Sequence, residues 1–263
     1  YVLLDREAKL SLLWCSEPDA SQHYRGVGSS QAERALVDAD REFGKLLEWL
    51  RDTGRDADTD VIVVSDHGYS TVAATVDVPA LVEAAGFPNS GRPGGVVAVP
   101  NGGTVLFYIH HRDPETADRL ATFLMSQSWC GTLMSSDAVG TLDGTLPLGM
   151  AGAEGPRAPD LAMSFRWDSN PSRSGYIGHI HSTSDHVGDH GSLSRQEINN
   201  VLIARGPSFK QGVSLSSPSA NIDIAPTILN ILGVPGGEGM DGRILVEAMV
   251  KSRDESEIRS VTR

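Results

Sequence analysis

Apolar residues in this chain fall into short runs that stop abruptly at polar, turn-forming residues. Leu10-Ser-Leu-Leu-Trp-Cys15 halts at Ser16-Glu-Pro-Asp19, which predicts a buried strand ending in a polar turn. Ser30-Gln-Ala-Glu33 has the form of a capping box, and Leu36, Phe43, Leu47 and Leu50 then recur at helical spacing up to Gly54, predicting a helix. Asp60-Val-Ile-Val-Val-Ser65 is a second apolar, β-branched run, followed at once by Asp66-His67-Gly68, and predicts another strand. Strand, helix and strand in this order predict a βαβ unit.

Further along, residues 86–103 turn to Gly, Pro and Asn and read as a loop, before a strand at 104–109 and a helix at 114–127 with Pro114 near its first turn. Residues 135–184 are rich in Gly, Pro, Ser and Asp, with one strand at 161–165, and read as a loop-rich insertion beside the core sheet. Regularity returns with a strand at 199–204 and a helix at 222–232, where Pro226 suits an early helical position and Gly233 the position just past the end. Residues 247–263 alternate charges and are expected to fray over the last ten positions. The alternation predicts an α/β fold with a mostly parallel sheet.

Charge narrows the chemistry. With 34 acidic against 22 basic residues the net charge is −12, which argues against a stable nucleic-acid complex, since such binders present a basic face. Only Cys15 and Cys130 are present, so no disulfide framework is implied. No window approaches the roughly 18 apolar residues that a membrane helix needs. The chain starts at Tyr1 without a leader-like pattern and reads as a portion that lacks upstream sequence; its compartment stays open.

Three clusters carry the candidate chemistry. In Glu17-Pro-Asp19 with His23, a carboxylate and an imidazole lie four residues apart, adjacent if the turn runs into helix, and together they suit zinc and its neighbours. Asp66-His67-Gly68 follows a strand at the sheet edge where open α/β folds place ligands. The third is a loop with His179, His181, His186, Asp189, His190 and Gly191, a source of a further ligand in which His186 and His190 are equally spaced candidates. Taken singly, each has a plainer explanation in a helix cap, a turn or solvated histidines; the three in succession are harder to explain that way.

In this order, Glu17-Pro-Asp19 with His23, then Asp66-His67-Gly68-Tyr-Ser, then Gly188-Asp-His190-Gly191-Ser, the pattern resembles the metal-ligand motifs of the type I phosphodiesterase/nucleotide pyrophosphatase family of the alkaline phosphatase superfamily. Asn199-Asn-Val-Leu-Ile-Ala-Arg-Gly-Pro207, Ile222-Asp-Ile-Ala-Pro-Thr-Ile-Leu and Asp241-Gly-Arg are similar to that family's closing segment. The resemblance implies an alkaline-phosphatase-like three-layer α/β/α sandwich with a mostly parallel central sheet, of which residues 1–263 are a partial catalytic domain lacking its N-terminal part, with the insertion at about 135–184.

It further implies two divalent metal ions, zinc being the first choice, one held by Asp19, His23 and His190 and the other by Asp66 and His67. His186 is the less favoured alternative to His190, and Glu17 is either a group that orients a ligand from behind or a plain surface carboxylate. The implied activity is hydrolysis of phosphodiester or nucleotide pyrophosphate bonds in small-molecule substrates through a covalent phospho-enzyme. Its Thr or Ser nucleophile has no matching position in this chain, so the catalytic residue is unknown and the fragment by itself is expected to be inactive. For an acidic protein, the metals would supply the positive charge that a phosphate ester requires. The alternatives are a phosphomonoesterase, phosphonate hydrolase, sulfatase or phosphomutase of the same superfamily, or a non-catalytic metal-binding module.

Overall fold

A computed structural model describes residues 8–250; residues 1–7 and 251–263, where the frayed end is expected, lie outside the described residues. In chain order the elements are α1 (Asp19–Arg25), α2 (Ser30–Asp52), β1 (Val61–Val64), β2 (Ser70–Thr75), α3 (Val78–Ala84), β3 (Val96–Asn101), β4 (Thr104–Ile109), α4 (Pro114–Met125) and β5 (Cys130–Ser135). They continue with β6 (Leu146–Pro147), β7 (Leu161–Phe165), β8 (Trp167–Pro171), β9 (Ile177–Ser182), β10 (Gly188–Asp189), α5 (Arg195–Ile198), β11 (Leu202–Arg205) and α6 (Ile224–Leu232). The chain divides into two compact units, one containing 8–15, Asp38–Asp66 and 201–250, the other Ser16–Val37 and His67–Asn200.

In the first unit β1 pairs antiparallel with β11, from Val61 opposite Arg205 to Val64 opposite Leu202. The run at 10–15 is not a strand, contrary to expectation, and Leu12 and Trp14 are exposed. An apolar run becomes a strand only where a neighbour takes its N–H and C=O groups, and no strand of the described residues pairs with this one. The predicted βαβ unit is therefore absent from the described residues. Asp60 ties the start of β1 to the chain beyond β11 by accepting the Ser208 N–H at 2.9 Å and its hydroxyl at 2.7 Å. At the other end of β1, the Asn221 side chain donates to the carbonyl of Asp66 at 3.0 Å. Pro226 lies in the first turn of α6, and Gly233 closes the helix in the left-handed region at φ 66°, as glycine readily does.

Helix α2 forms where the apolar spacing predicts it, but its cap is Ser29, whose hydroxyl accepts the Ala32 N–H at 3.1 Å. The capping box expected on Ser30 does not form: with Ser29 as cap the third helical residue is Ala32, which has no polar side chain to reach back, and the Ser30 hydroxyl turns to Gln31.

The second unit holds a four-stranded sheet in the order β10-β2-β9-β8 and a five-stranded sheet in the order β3-β4-β7-β5-β6. Only β2–β9 and β5–β6 pair in parallel; the other pairings are antiparallel. The α/β class holds, but the sheets are mixed rather than mostly parallel. The reason is local: β3 and β4 are joined at Gly102-Gly103 and β8 and β9 by residues 172–176, and connections this short permit only antiparallel neighbours. Strand β3 lies within the predicted loop 86–103. Strand β7 lies between β4 and β5, so part of the predicted insertion sits inside a sheet, while β8 and β9 belong to the other.

Helices α3 and α4 contribute Val78, Val82, Leu120 and Leu124 to a core shared with Phe107, Met163 and Phe165 of the five-stranded sheet. In β4, buried Val105, Phe107 and Ile109 alternate with half-buried Thr104, Leu106 and Tyr108, the period-2 signature of a strand with one face on the core. Each large side chain buried here contributes on the order of 1.5–3 kcal/mol. Cys130 is free and buried, and burial pushes its thiol up to about 11, which makes it unreactive. Cys15 is free and exposed.

Candidate metal centre

The polar turn at 16–19 does run into helix: α1 begins at Asp19, so Asp19 and His23 stand one turn apart on the same face. Glu17 reaches the exposed start of this helix and accepts the Ser21 N–H at 3.1 Å, satisfying one of the donors that a helix N-terminus leaves open. Its place is therefore beneath the helix that carries the two candidate ligands.

Three imidazoles converge on one oxygen of Asp19. Its Oδ1 lies 3.8 Å from Nε2 of His23, 3.9 Å from Nε2 of His67 and 3.7 Å from Nε2 of His190. Asp19, His23 and His190 each offer a ligand atom within 4.8 Å of the others. The rings of His67 and His190 stack at 3.6 Å. Tyr69 sits among them, and its hydroxyl donates to the same Asp19 oxygen at 2.7 Å. A mixed nitrogen and carboxylate set of this kind fits a borderline transition metal such as zinc. Asp66 belongs to the other unit, and the structure does not assign its carboxylate to this group.

His186 falls in a second group of three, with His23 and Asp189. Its ring centroid is 4.7 Å from that of His23, and its buried Nδ1 has no hydrogen-bond partner among the described residues. His179 and His181 lie on β9 away from both groups, with His179 bonded to Asp168 at 3.2 Å.

Backbone packed against backbone holds the histidines in place. The Gly68 N–H donates to the carbonyl of Glu197 at 2.7 Å, and a Cβ at Gly68 would stand 2.0 Å from the carbonyl oxygen of Gln196; only glycine allows this approach. The His190 carbonyl accepts the Gly103 N–H at 2.7 Å, so the β3–β4 turn supports the loop that carries His190. Glu197, buried, accepts the Ser192 N–H at 2.6 Å and its hydroxyl at 2.7 Å, bracing the same loop from α5.

The model of the type I phosphodiesterase/nucleotide pyrophosphatase family matches residues 2–193. The chain belongs to this family. Within it, a mouse ectonucleotide pyrophosphatase/phosphodiesterase family member 1 is 43% identical over 56 residues, 21% of this chain and 6% of the relative. An ectonucleotide pyrophosphatase/phosphodiesterase of Caenorhabditis elegans is 24% identical over 250 residues, 92% of this chain and 26% of the relative. The solved structure of murine ectonucleotide pyrophosphatase/phosphodiesterase 5 superposes with a TM-score of 0.64 at 15% identity, covering 89% of this chain and 57% of that one, which establishes the alkaline-phosphatase-like fold. The chain spans 6% and 26% of the lengths of these two relatives.

For a member of this family, the electrostatics favour ligation. Burial, then the neighbouring His67 and His23, lower the pKa of His190 despite the opposing pull of Asp189 and Asp19; a neutral imidazole keeps the lone pair that a metal requires. Glu197 shifts the other way: burial raises its pKa, against hydrogen bonds from Ser70 and Ser192 that lower it. An acid that holds its proton more tightly when folded contributes most stability below its ordinary value and loses that contribution as pH rises through its folded value. Urea unfolding from pH 4.5 to 8 is therefore expected to show wild type losing ground to Glu197→Gln as pH rises from the ordinary carboxyl value through the folded value of Glu197, and levelling beyond it; a gap constant over the whole range would contradict this. The sequence assigns no role to Tyr69 or Glu197: Tyr69 stands within the Asp66-His67-Gly68-Tyr-Ser run but acts on Asp19, 50 residues away, and Glu197 is a carboxylate outside the motifs that braces Ser192.

Proposed function

We propose that the protein is a metal-dependent phosphohydrolase acting on phosphodiester or nucleotide pyrophosphate bonds of small molecules, with Asp19, His23 and His190 holding one divalent cation. The observation that carries this reading is the convergence of three imidazole nitrogens on Asp19 Oδ1, in a chain of net charge −12 whose family is that of the type I phosphodiesterases. Zinc is the proposed ion from the donor set, and Asp66 with His67 are the proposed ligands of a second, on the strength of the Asp66-His67-Gly68 motif alone. Bound there, the cations would neutralise phosphate charge and polarise its oxygens. The chain's own residues do the rest of the positioning: Tyr69 fixes the Asp19 carboxylate by its hydrogen bond, and the lowered pKa of His190 keeps its ring neutral. The proposed hydrolysis proceeds through a phospho-enzyme on a Thr or Ser with no matching position in these 263 residues.

Calorimetry with a non-hydrolysable thiophosphodiester and with an aryl sulfate tests the reading. Zinc-loaded protein is expected to bind the phosphodiester analogue in preference, and to lose at least tenfold in affinity when zinc is removed. Preference for the sulfate, or binding indifferent to zinc, would reject it.

A further inference from the structure

The two nitrogens of His23 face different surroundings. Nε2 points to Asp19, whereas Nδ1 lies 3.0 Å from the carbonyl oxygen of Gly188 and 3.7 Å from Oδ1 of Asp189. A carbonyl only accepts, so a hydrogen bond at this distance places the proton on Nδ1 and leaves the lone pair on Nε2. Asp189 is almost fully buried and is itself held on every side. Its Oδ2 accepts the hydroxyls of Ser182 and, at 2.7 Å, Ser184, while its Oδ1 accepts the backbone N–H of His190 at 2.9 Å. One carboxylate oxygen thus faces the ring of one candidate ligand and bonds to the backbone of another.

The strand that presents this pair is also constrained. β10 is only Gly188–Asp189, paired with Thr71 and Ser70 of β2. A Cβ at Gly188 would come within 2.6 Å of the carbonyl oxygen of Gln22 in α1, and the Val187 N–H donates to the His23 carbonyl at 3.0 Å. The short strand therefore lies tight against the helix that carries His23, which keeps the backbone of Asp189 beside it.

We propose that Asp189 is a positioning residue: its carboxylate, 3.7 Å from Nδ1 of His23, reinforces the Nδ1-protonated form that the Gly188 carbonyl sets by direct hydrogen bond, and it fixes the backbone of His190, so that both present Nε2 to a metal beside Asp19. The proposal rests on the reading of Asp19, His23 and His190 as a metal centre. A carboxylate behind a ligating imidazole raises its basicity and fixes its orientation, and losing such a partner costs about 10–100-fold in metal affinity. Asp189 is not a ligand in this account. Its oxygens are already engaged by three donors, and the separate group that it could form with His23 among the described residues takes in His186.

The test combines zinc affinity and stoichiometry, by chelator competition, with the tautomer of His23 in metal-free protein, by ¹⁵N NMR. The variants are Asp189→Asn, Ser184→Ala, His186→Ala, Asp19→Ala and His190→Ala. The proposal expects wild-type His23 to be protonated on Nδ1. In Asp189→Asn, which keeps the Gly188 carbonyl, it expects the Nδ1-protonated form to lose part of its excess over the Nε2-protonated form, with zinc affinity lowered about 10–100-fold at unchanged stoichiometry. Ser184→Ala, which keeps the carboxylate but loosens it, should show a smaller loss, and His186→Ala none. If Asp189→Asn does not fold, Ser184→Ala decides, and wild-type affinity and tautomer in it would overturn the proposal. So would unchanged affinity in folded Asp189→Asn, or a fall in stoichiometry shared by Asp189→Asn and His186→Ala, which would make Asp189 a ligand of a separate ion. If instead Asp19→Ala and His190→Ala leave zinc binding untouched, the metal-centre reading itself fails, while the tautomer measurement still decides whether Asp189 controls His23.

Discussion

Replacing His190 with alanine is expected to weaken zinc binding by more than about 100-fold, beyond the usual cost of losing a group that merely supports a ligand, while leaving the fold intact. The ring is about a third exposed and, apart from an edge contact with Tyr69, lies outside the main apolar core cluster, so its removal opens no sealed cavity. What it removes is one of the nitrogens that approach Asp19 Oδ1, and the stacking partner of His67. Chelator competition gives the affinity and circular dichroism the fold. A variant that binds zinc as wild type does would remove His190 from the site. One that loses both zinc and structure would show that the loop depends on His190 for packing, contrary to this account.

The largest expected effect on stability belongs to Gly68→Ala. The added Cβ would sit 2.0 Å from the backbone oxygen of Gln196 and 3.3 Å from the Cα of Glu197, and neither neighbour is the free end of a side chain. Overpacking against a fixed backbone costs on the order of 3 kcal/mol. For a chain of this size that corresponds to a melting temperature lower by roughly 10 °C. Because the Gly68 N–H also bonds to Glu197, which braces Ser192, the strain passes to the His190 loop, and zinc affinity should fall as well. Gly44→Ala is the control: it lies in α2 with nothing near the new methyl group and should raise stability by about 0.4–1 kcal/mol. Thermal melts of the two variants check the contrast, and equal shifts would contradict it.

How much of this was legible in the sequence depended on range. Asp19 and His23 could be paired because helical spacing is a local rule and the turn before them was visible. The strands at 61–64 and 104–109 and the helices α2, α4 and α6 were readable for the same reason. Strand β3 was not, because Gly86 to Gly103 is dominated by loop-forming residues although Val96 to Val99 pair fully with β4. Strands β8 and β9 were hidden likewise by Ser, Asp, His and Gly. The run at 10–15 failed in the opposite sense: it has strand composition but no partner among the described residues, and composition cannot supply one.

The site divides along the same line. Its histidines stood out by residue type, but nothing local distinguished His186 from His190, and the structure separates them by what each faces. Tyr69 went unread because its hydroxyl meets Asp19 across 50 residues of chain. In the sequence Asp189 is one member of a polar loop and of the Gly188-Asp-His190-Gly191 run, with no role of its own. Its engagement with Ser182, Ser184, His190 and the neighbourhood of His23 depends on β10 lying beside α1, which no spacing rule announces.

The most direct test of the central claim is a crystal of the protein soaked in zinc, with anomalous diffraction recorded across the zinc edge. The account predicts a peak bonded at about 2.0–2.2 Å to a carboxylate oxygen of Asp19 and to Nε2 of both His23 and His190. A peak on Nδ1 of His23 with His186 and Asp189, or no ordered peak in well-diffracting crystals, would contradict it.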